Sequence, residues 1–158
     1  MQAKYDYNGL IGKYCLVEKD ERLVRLWLGN RISLVPEEIE IKETPLIREA
    51  KSQLDAYFAK RLQTFDLPLA PEGSVFQMKV WELLKSIPYG NAITYGELAK
   101  RAGDKNACRA VGMANSRNPL PVFIPCHRVV GAGGKLTGYT GGLEVKMKLL
   151  QVEGIELL

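Results

Sequence analysis

A cysteine stands directly beside the chain's single histidine in Pro125-Cys126-His127-Arg128-Val129. A free thiol with a pKa near ~8.5 is mostly protonated at neutral pH, and it reacts as the thiolate. Something must take its proton, and His127 is the base at hand. Neighbours on a strand point to opposite faces, so Cys126 and His127 must sit on a turn or exchange the proton through a water. Two readings stand on this pair alone. One is a nucleophile with its base; the other is a buried structural cysteine followed by an unrelated histidine, since free cysteine is among the most buried residue types.

The rest of the composition narrows the setting. With 158 residues, 46% hydrophobic and 25% charged, the chain has room for one domain or two small ones and is neither disordered nor fibrous. No apolar run approaches the ~18 residues of a membrane span, and Met1 leads into Gln2-Ala3-Lys4-Tyr5-Asp6 rather than a signal-peptide pattern, so a cytoplasmic protein away from membranes is expected. Cys15, Cys108 and Cys126 are an odd number without C-x-x-C spacing, which fits reduced thiols. One histidine and three scattered cysteines predict no metal site. The net charge of +4 divides unevenly at Gly73: residues 1–73 carry 11 Lys/Arg against 12 Asp/Glu, and residues 74–158 carry 11 against 6. The halves are therefore −1 and +5, and the basic half holds the cysteine. That excess fits either a polyanion partner or a solvated surface.

The elements that must position the pair follow from periodicity and punctuation. Residues 14–17 and 23–28 read as strands of a hairpin around Glu18-Lys19-Asp20-Glu21, with a weaker strand at 39–41. Thr44-Pro45 then caps a helix carrying Leu46, Ile47, Ala50, Leu54, Tyr57 and Phe58 at helical spacing. Two prolines and a glycine in 67–73 mark a linker, so the expected domains are 1–66 and 74–158.

The second domain opens on a Ser74-x-x-Gln77 capping box and a helix with Phe76, Val80, Leu83, Leu84 and Ile87 on one face, ended by Pro88-Tyr89-Gly90. A second box, Thr94 to Glu97, starts a short helix that Gly103-Asp104 breaks before another over 106–116. Helix, tight turn with Gly, helix is helix-turn-helix spacing. On the last of these, Ala107, Ala110, Val111 and Ala114 fall on one face and Arg109, Gly112, Met113 and Ser116 on the other. The shallow second face suits close approach to a groove, or tight packing on a neighbour. A short strand at 122–124 leads into the Cys126 turn, glycine clusters follow at 131–134 and 138–142, and a final helix from Leu143 to Val152 is stopped by Gly154.

Ile124-Pro125-Cys126-His127-Arg128-Val129-Val130 resembles the active-site signature of the O6-alkylguanine-DNA alkyltransferases, also called methylated-DNA–protein-cysteine methyltransferases. Tyr95 within Ile93-Thr94-Tyr95, Arg109-Ala110-Val111-Gly112, Asn118-Pro119-Leu120-Pro121, Gly138-Tyr139-Thr140-Gly141-Gly142 and Leu149-Leu150-Gln151-Val152-Glu153-Gly154 follow in that family's order and spacing. The resemblance covers 74–154; the first half is similar in layout only.

It implies an α+β fold: a ribonuclease-H-like strand and helix domain, then a mostly helical domain with a helix-turn-helix. It also implies a monomer that flips O6-alkylguanine, chiefly O6-methylguanine, from double-stranded DNA through the minor groove and takes the alkyl group irreversibly onto Cys126. A thiol cannot reach a stacked base, which is the physical reason for flipping. In this likeness His127 is the base and Glu153 orients it. Tyr95 hydrogen-bonds the leaving guanine at N3, and no cofactor takes part. Asn118, Val129, Tyr139, Thr140 and Lys146 resemble the substrate-binding positions. Gln77, Tyr95, Ala107, Arg109, Gly112 and Arg128 resemble the DNA-binding ones, with Arg109 filling the vacated stack. The family's larger members carry a zinc site that one histidine cannot reproduce, and Ala132 and Gly133 replace more polar loop residues.

Three other functions compete. Relatives that only recognise the lesion lack the cysteine. A major-groove regulator would carry several base-reading side chains on its recognition helix, where this one has Arg109. A cysteine hydrolase would draw its histidine from a distant segment.

Overall fold

The first 28 residues turn back on themselves twice. The computed structural model describes residues 1–139 and 141–156, and these divide into two compact units, Met1–Glu72 and Gly73–Leu158. In the first, β1 (Gln2–Gly9), β2 (Gly12–Lys19) and β3 (Arg22–Leu28) form an antiparallel meander with two-residue turns. Asp20 and Glu21 both take positive φ, 52° and 65°, the conformation whose twist suits a tight hairpin. β4 (Glu40–Ile41) pairs in parallel with β1, giving the order β3-β2-β1-β4.

Sequence patterning does not announce β1. Only Ala3 and Tyr7 of its eight residues are buried, too thin an apolar signal to read as a strand before its partner is known.

α1 (Pro45–Phe58) lays Ile47, Ala50, Leu54 and Tyr57 against this sheet, one face of a helix at three- and four-residue steps. Its cap does double service: the Thr44 hydroxyl accepts from the Ile47 amide at 3.1 Å and donates to Glu18 on β2 at 2.5 Å. The stretch expected as a linker is hydrogen-bonded to β3: Leu23 N donates to Pro68 O at 2.9 Å and Ala70 N donates to Leu23 O at 2.8 Å.

The second unit is helical around a two-stranded clasp. α2 (Val75–Lys85) opens on the full Ser74/Gln77 capping box and buries Val80, Trp81 and Leu84. β5 (Ile93–Thr94) runs into α3 (Tyr95–Arg101), where Thr94 caps the Glu97 amide. The expected second capping box is only half formed, because the Glu97 carboxylate turns to Arg101 at 3.1 Å. Gly103, at φ 96°, ends α3 by donating to Lys100 O while Asp104 N donates to Ala99 O, so the orphan carbonyls are satisfied. The Asp104 side chain then accepts from Asn106 N, which bends the chain into α4 (Cys108–Ser116).

Val111, Ala114 and Asn115 are the buried stripe of α4. Ala110, expected on that face, is exposed beside Arg109: the inward direction is set by packing on α2 and α3, which rotates the stripe toward Asn115. Trp81 Nε1 donates to Ala114 O at 2.9 Å and ties α2 to the end of α4.

Residues 122–124 form a turn where a strand was expected; Pro121 and Ile124 bridge across it and Val122 sits at φ 75°, a costly conformation for a β-branched residue. β6 (Val129–Val130) pairs in parallel with β5, Ile93 opposite Val129 and Thr94 opposite Val130. α5 (Leu143–Val152) closes the unit, stopped by Gly154 at φ 73°, with Gly154 N on Gln151 O and Ile155 N on Leu150 O. Among the described residues no helix is long and apolar enough to cross a membrane.

Candidate active site

Cys126 and His127 share a single 3-10 turn. Pro125, at φ −79° and ψ 65°, makes an inverse γ-turn in which Cys126 N donates to Ile124 O at 2.7 Å, and the turn Cys126–Arg128 follows at once. Successive side chains on a 3-10 turn diverge by a third of a rotation, so the two functional groups do not face each other as they would across a strand. Asn118 fixes the approach: its Nδ2 donates to Ile124 O at 2.7 Å and its Oδ1 accepts from Leu120 N at 3.0 Å. Asn115, from the buried stripe of α4, reaches Cys126 O at 3.4 Å.

The thiol is 2% exposed. Burial pushes its pKa up, and hydrogen bonds from Asn118 and Tyr139 together with the charge of Lys146 oppose that rise without cancelling it. Such a thiol would need a base to act as a nucleophile.

His127 is the candidate base. Its Nε2 lies 2.6 Å from Glu153 Oε2, with both side chains fully buried. A neutral ring that donates from Nε2 to a carboxylate keeps its basic lone pair on Nδ1. Burial pulls His127 below its usual pKa, the Glu153 carboxylate pulls the other way, and Arg128 and Lys146 add to the lowering. The ring is thus neutral at pH 7.

Glu153 sits at the C-cap of α5, held there by the glycine that ends the helix. Its carboxylate accepts from four donors. Gly90 N and Arg128 Nε meet Oε1 at 3.0 and 2.8 Å, and Arg128 Nη2 joins His127 on Oε2 at 3.0 Å.

This arrangement corrects the expectation for Arg128. Read from sequence as a DNA contact, it is 7% exposed, forks onto Glu153 and donates from Nη1 to Ile87 O at 2.6 Å. Its charge is spent inside the site because a buried carboxylate needs a cation there.

The β5–β6 clasp brings the start of α3 beside the residues after the cysteine, and so places Tyr95. The Tyr95 ring lies 3.7 Å from where a Cβ on Gly112 of α4 would stand, and its hydroxyl is 3.0 Å from Thr137 Oγ1. Lys146 of α5 is 0% exposed and donates to Val129 O at 2.7 Å, to Thr137 Oγ1 at 3.1 Å and to Thr137 O at 3.3 Å. Burial lowers its pKa to about 8. Val129 contributes its carbonyl, and Tyr139 its side chain next to the thiol. Thr140 lies outside the described residues.

Sequence reasoning gives no sign of Thr137, an isolated threonine in a glycine-rich loop. Asn115 left a faint one, a polar residue one turn beyond Val111.

Besides Tyr95 on α3 and Arg128 in the cysteine turn, the expected DNA-facing residues lie on α2 and at α4. Arg109, Ala110 and Met113 are exposed on α4, Ala107 is its half-buried N-cap, and Gly112 backs onto Tyr95. Gln77 is half-buried, with its side-chain oxygen engaged by Ser74 N at 2.9 Å. Among the described residues no three of His, Cys, Asp and Glu gather where a metal ion could be held.

Comparison with known proteins bears on this geometry. Residues 6–71 match the family described as 6-O-methylguanine DNA methyltransferase, ribonuclease-like domain, and residues 75–155 the one described as 6-O-methylguanine DNA methyltransferase, DNA binding domain. The methylated-DNA–protein-cysteine methyltransferase of Methanosarcina acetivorans is 50% identical over 150 residues, covering 94% of this chain and 96% of that one. The constitutive protein of that name from Bacillus subtilis is 45% identical, covering 92% and 91%. The crystal structure of Mycobacterium tuberculosis OGT in complex with DNA superposes with a TM-score of 0.87 at 39% identity, over 96% of this chain and 92% of that one.

Proposed function

Because the chain belongs to the 6-O-methylguanine DNA methyltransferase family, we propose that it takes the alkyl group from O6-alkylguanine in duplex DNA onto Cys126, once per molecule. The Cys126 sulfur attacks the carbon on O6 in line; the S–C bond forms, the C–O6 bond breaks, and the electron pair leaves with the guanine ring. The thiol proton passes through a water to Nδ1 of His127, and the carboxylate of Glu153 stabilises the imidazolium. Tyr95 donates to N3 of the leaving base, where charge develops. A thioether carbon is not an activated donor, so the product cannot return its alkyl group and the protein acts stoichiometrically.

Flipping is required because the thiol is buried and the lesion is stacked. We assign Asn118, Val129, Tyr139, Thr140 and Lys146 to the walls of the base pocket. α4 enters the minor groove with Arg109 in the vacated stack, and Gln77, Ala107 and Gly112 flank it. We take the acting unit to be a monomer. Three free cysteines support a reducing, cytoplasmic setting.

The observation that carries this reading is the shared turn of Cys126 and His127, with His127 Nε2 held 2.6 Å from Glu153 Oε2. A lesion-recognition protein without transfer has no use for a thiol there. Intact-mass and peptide mass spectrometry after incubation with duplex containing O6-methylguanine should show one added methyl group on Cys126. An unmodified Cys126, with the duplex bound, would move the protein to the binding-only class.

A further inference from the structure

We infer that Thr137 is a positioning residue that makes Tyr95 a hydrogen-bond donor toward the leaving base, by relaying the charge of Lys146 to the phenol. The inference rests on the transfer reading of Cys126 and adds to it a residue and a direction.

Lys146 as an ammonium has three N–H bonds and no acceptor capacity. Those bonds have three acceptors: Val129 O at 2.7 Å, Thr137 O at 3.3 Å and Thr137 Oγ1 at 3.1 Å. Thr137 Oγ1 therefore accepts from the cation. The threonine's own hydrogen remains to be placed, and among the described residues the acceptor within reach is Tyr95 Oη at 3.0 Å. A phenol that accepts from Thr137 keeps its own hydrogen for another acceptor.

The reverse arrangement is worse on two counts. A phenol donating inward to Thr137 would leave the threonine's hydrogen without a protein acceptor among the described residues. It would also leave Tyr95 able only to accept from the base, when the departing guanine gains negative charge and needs a donor. A chain that starts from a buried cation is polarised in the useful direction, since charge-assisted bonds strengthen those that follow. With its pKa near 8, Lys146 remains mainly ammonium at pH 7.

The loop is shaped to hold this threonine. A Cβ on Gly131 would come within 2.8 Å of Thr137 Cγ2, so bare backbone forms the seat of its methyl group. Gly131 N donates to Lys135 O at 2.8 Å and closes the loop just before Thr137. The methyl is thereby packed on one side and the hydroxyl turned to Tyr95 and Lys146.

Thr137→Val keeps the shape and removes the hydroxyl; Thr137→Ser keeps the hydroxyl. Single-turnover methyl transfer to Cys126 is followed for both with duplex O6-methylguanine and with its 3-deaza analogue, in which N3 is replaced by C–H. Thr137→Val should slow transfer from the natural lesion by roughly 10- to 100-fold with duplex affinity unchanged, somewhat less than the loss of a direct transition-state donor. Thr137→Ser should restore the rate to within about threefold. On the 3-deaza duplex, Thr137→Val and wild type should react equally slowly. Wild-type rates for Thr137→Val, or the same slowing on both duplexes, would overturn the relay. Failure of the wild type to methylate Cys126 at all would instead overturn the transfer reading, and the relay with it.

Discussion

Arg128 follows His127 in the chain and turns its guanidinium onto the same carboxylate, with Nε and Nη2 on Glu153 Oε1 and Oε2 at 2.8 and 3.0 Å. A bare carboxylate buried against an imidazole would draw a proton onto the ring. Burial is the main force that lowers the His127 pKa, and Arg128, by matching the carboxylate's charge, adds to it, so Glu153 can orient His127 without protonating it. The arginine of the signature thus adjusts the histidine through the acid that both share.

Removing that cation tests the arrangement. Arg128→Met leaves Glu153 buried with His127 and Gly90 as partners, and breaking one side of a buried ion pair costs about 3–5 kcal/mol. Urea denaturation should register a loss of that order. In the folded fraction the His127 pKa should rise, because the remaining carboxylate favours the imidazolium, and methyl transfer at pH 7 should fall as the base is lost. An NMR titration of the single histidine that left its pKa unmoved would contradict the argument.

Glu153→Gln keeps the shape and removes the charge. The carboxamide no longer stabilises an imidazolium and cannot accept every donor now directed at it, so transfer should slow on the order of 10²-fold or more, the scale of losing effective general-base catalysis. Single-turnover kinetics read by mass spectrometry would show it, with binding to undamaged duplex little changed.

The resting state of the thiol has its own signature. Burial raises the pKa of Cys126 and pushes that of Cys15 up to about 12, and both are shielded, whereas Cys108 is exposed at the start of α4. Iodoacetamide at pH 7 should therefore label Cys108 first. A group with a raised pKa gains thiolate only as pH rises, so labelling of Cys126 should accelerate toward alkaline pH. Peptide mapping that found Cys126 labelled fastest at pH 7 would show that the base acts before substrate arrives.

Gly73 begins the second unit, and its backbone lies under the indole of Trp81. A Cβ there would stand 2.4 and 2.6 Å from Trp81 Cη2 and Cζ3, and 2.7 Å from Gln77 Oε1. The indole is buried and hydrogen-bonded to Ala114 O, so it has little room to yield. Gly73→Ala should destabilise the protein by about 1–3 kcal/mol, the usual range for overpacking, and thermal melts would reveal it.

Capping boxes, helical stripes and breaker residues located α1, α2 and α5 because each signal is local. β1 escaped because its partner, not its own pattern, makes it a strand. The site divides the same way. Cys126 and His127 were visible as chemistry in one pentapeptide, but Glu153 reads as an ordinary C-terminal acid until the end of α5 returns it to the cysteine turn. Arg128 was misassigned for the same reason: nothing local tells a cation bound for solvent from one bound for a buried carboxylate 25 residues away in sequence. Thr137 carries no pattern at all, and its meaning comes from two partners, Tyr95 on α3 and Lys146 on α5, which only the fold brings to it.

Arg109 is the position at which flipping can be tested apart from chemistry. It is exposed on the outer face of α4, between Cys108 and Ala110, and makes none of the hydrogen bonds of the Cys126 site. If its role is to occupy the stack, Arg109→Ala removes the group that keeps the base outside the duplex and leaves the reacting groups untouched. Transfer from duplex O6-methylguanine should then fall by on the order of 10-fold or more, reflecting the few kcal/mol of unstacking that must be offset. Transfer from the free base O6-benzylguanine, which has no stack to leave, should stay within about twofold, the scale of a surface substitution away from the site. Salt dependence gives a second measure: losing one phosphate-facing cation would lower the slope of log K against log salt by about one, whereas a residue buried in the stack would change it less. Equal losses on duplex and free base would place Arg109 in the chemistry instead.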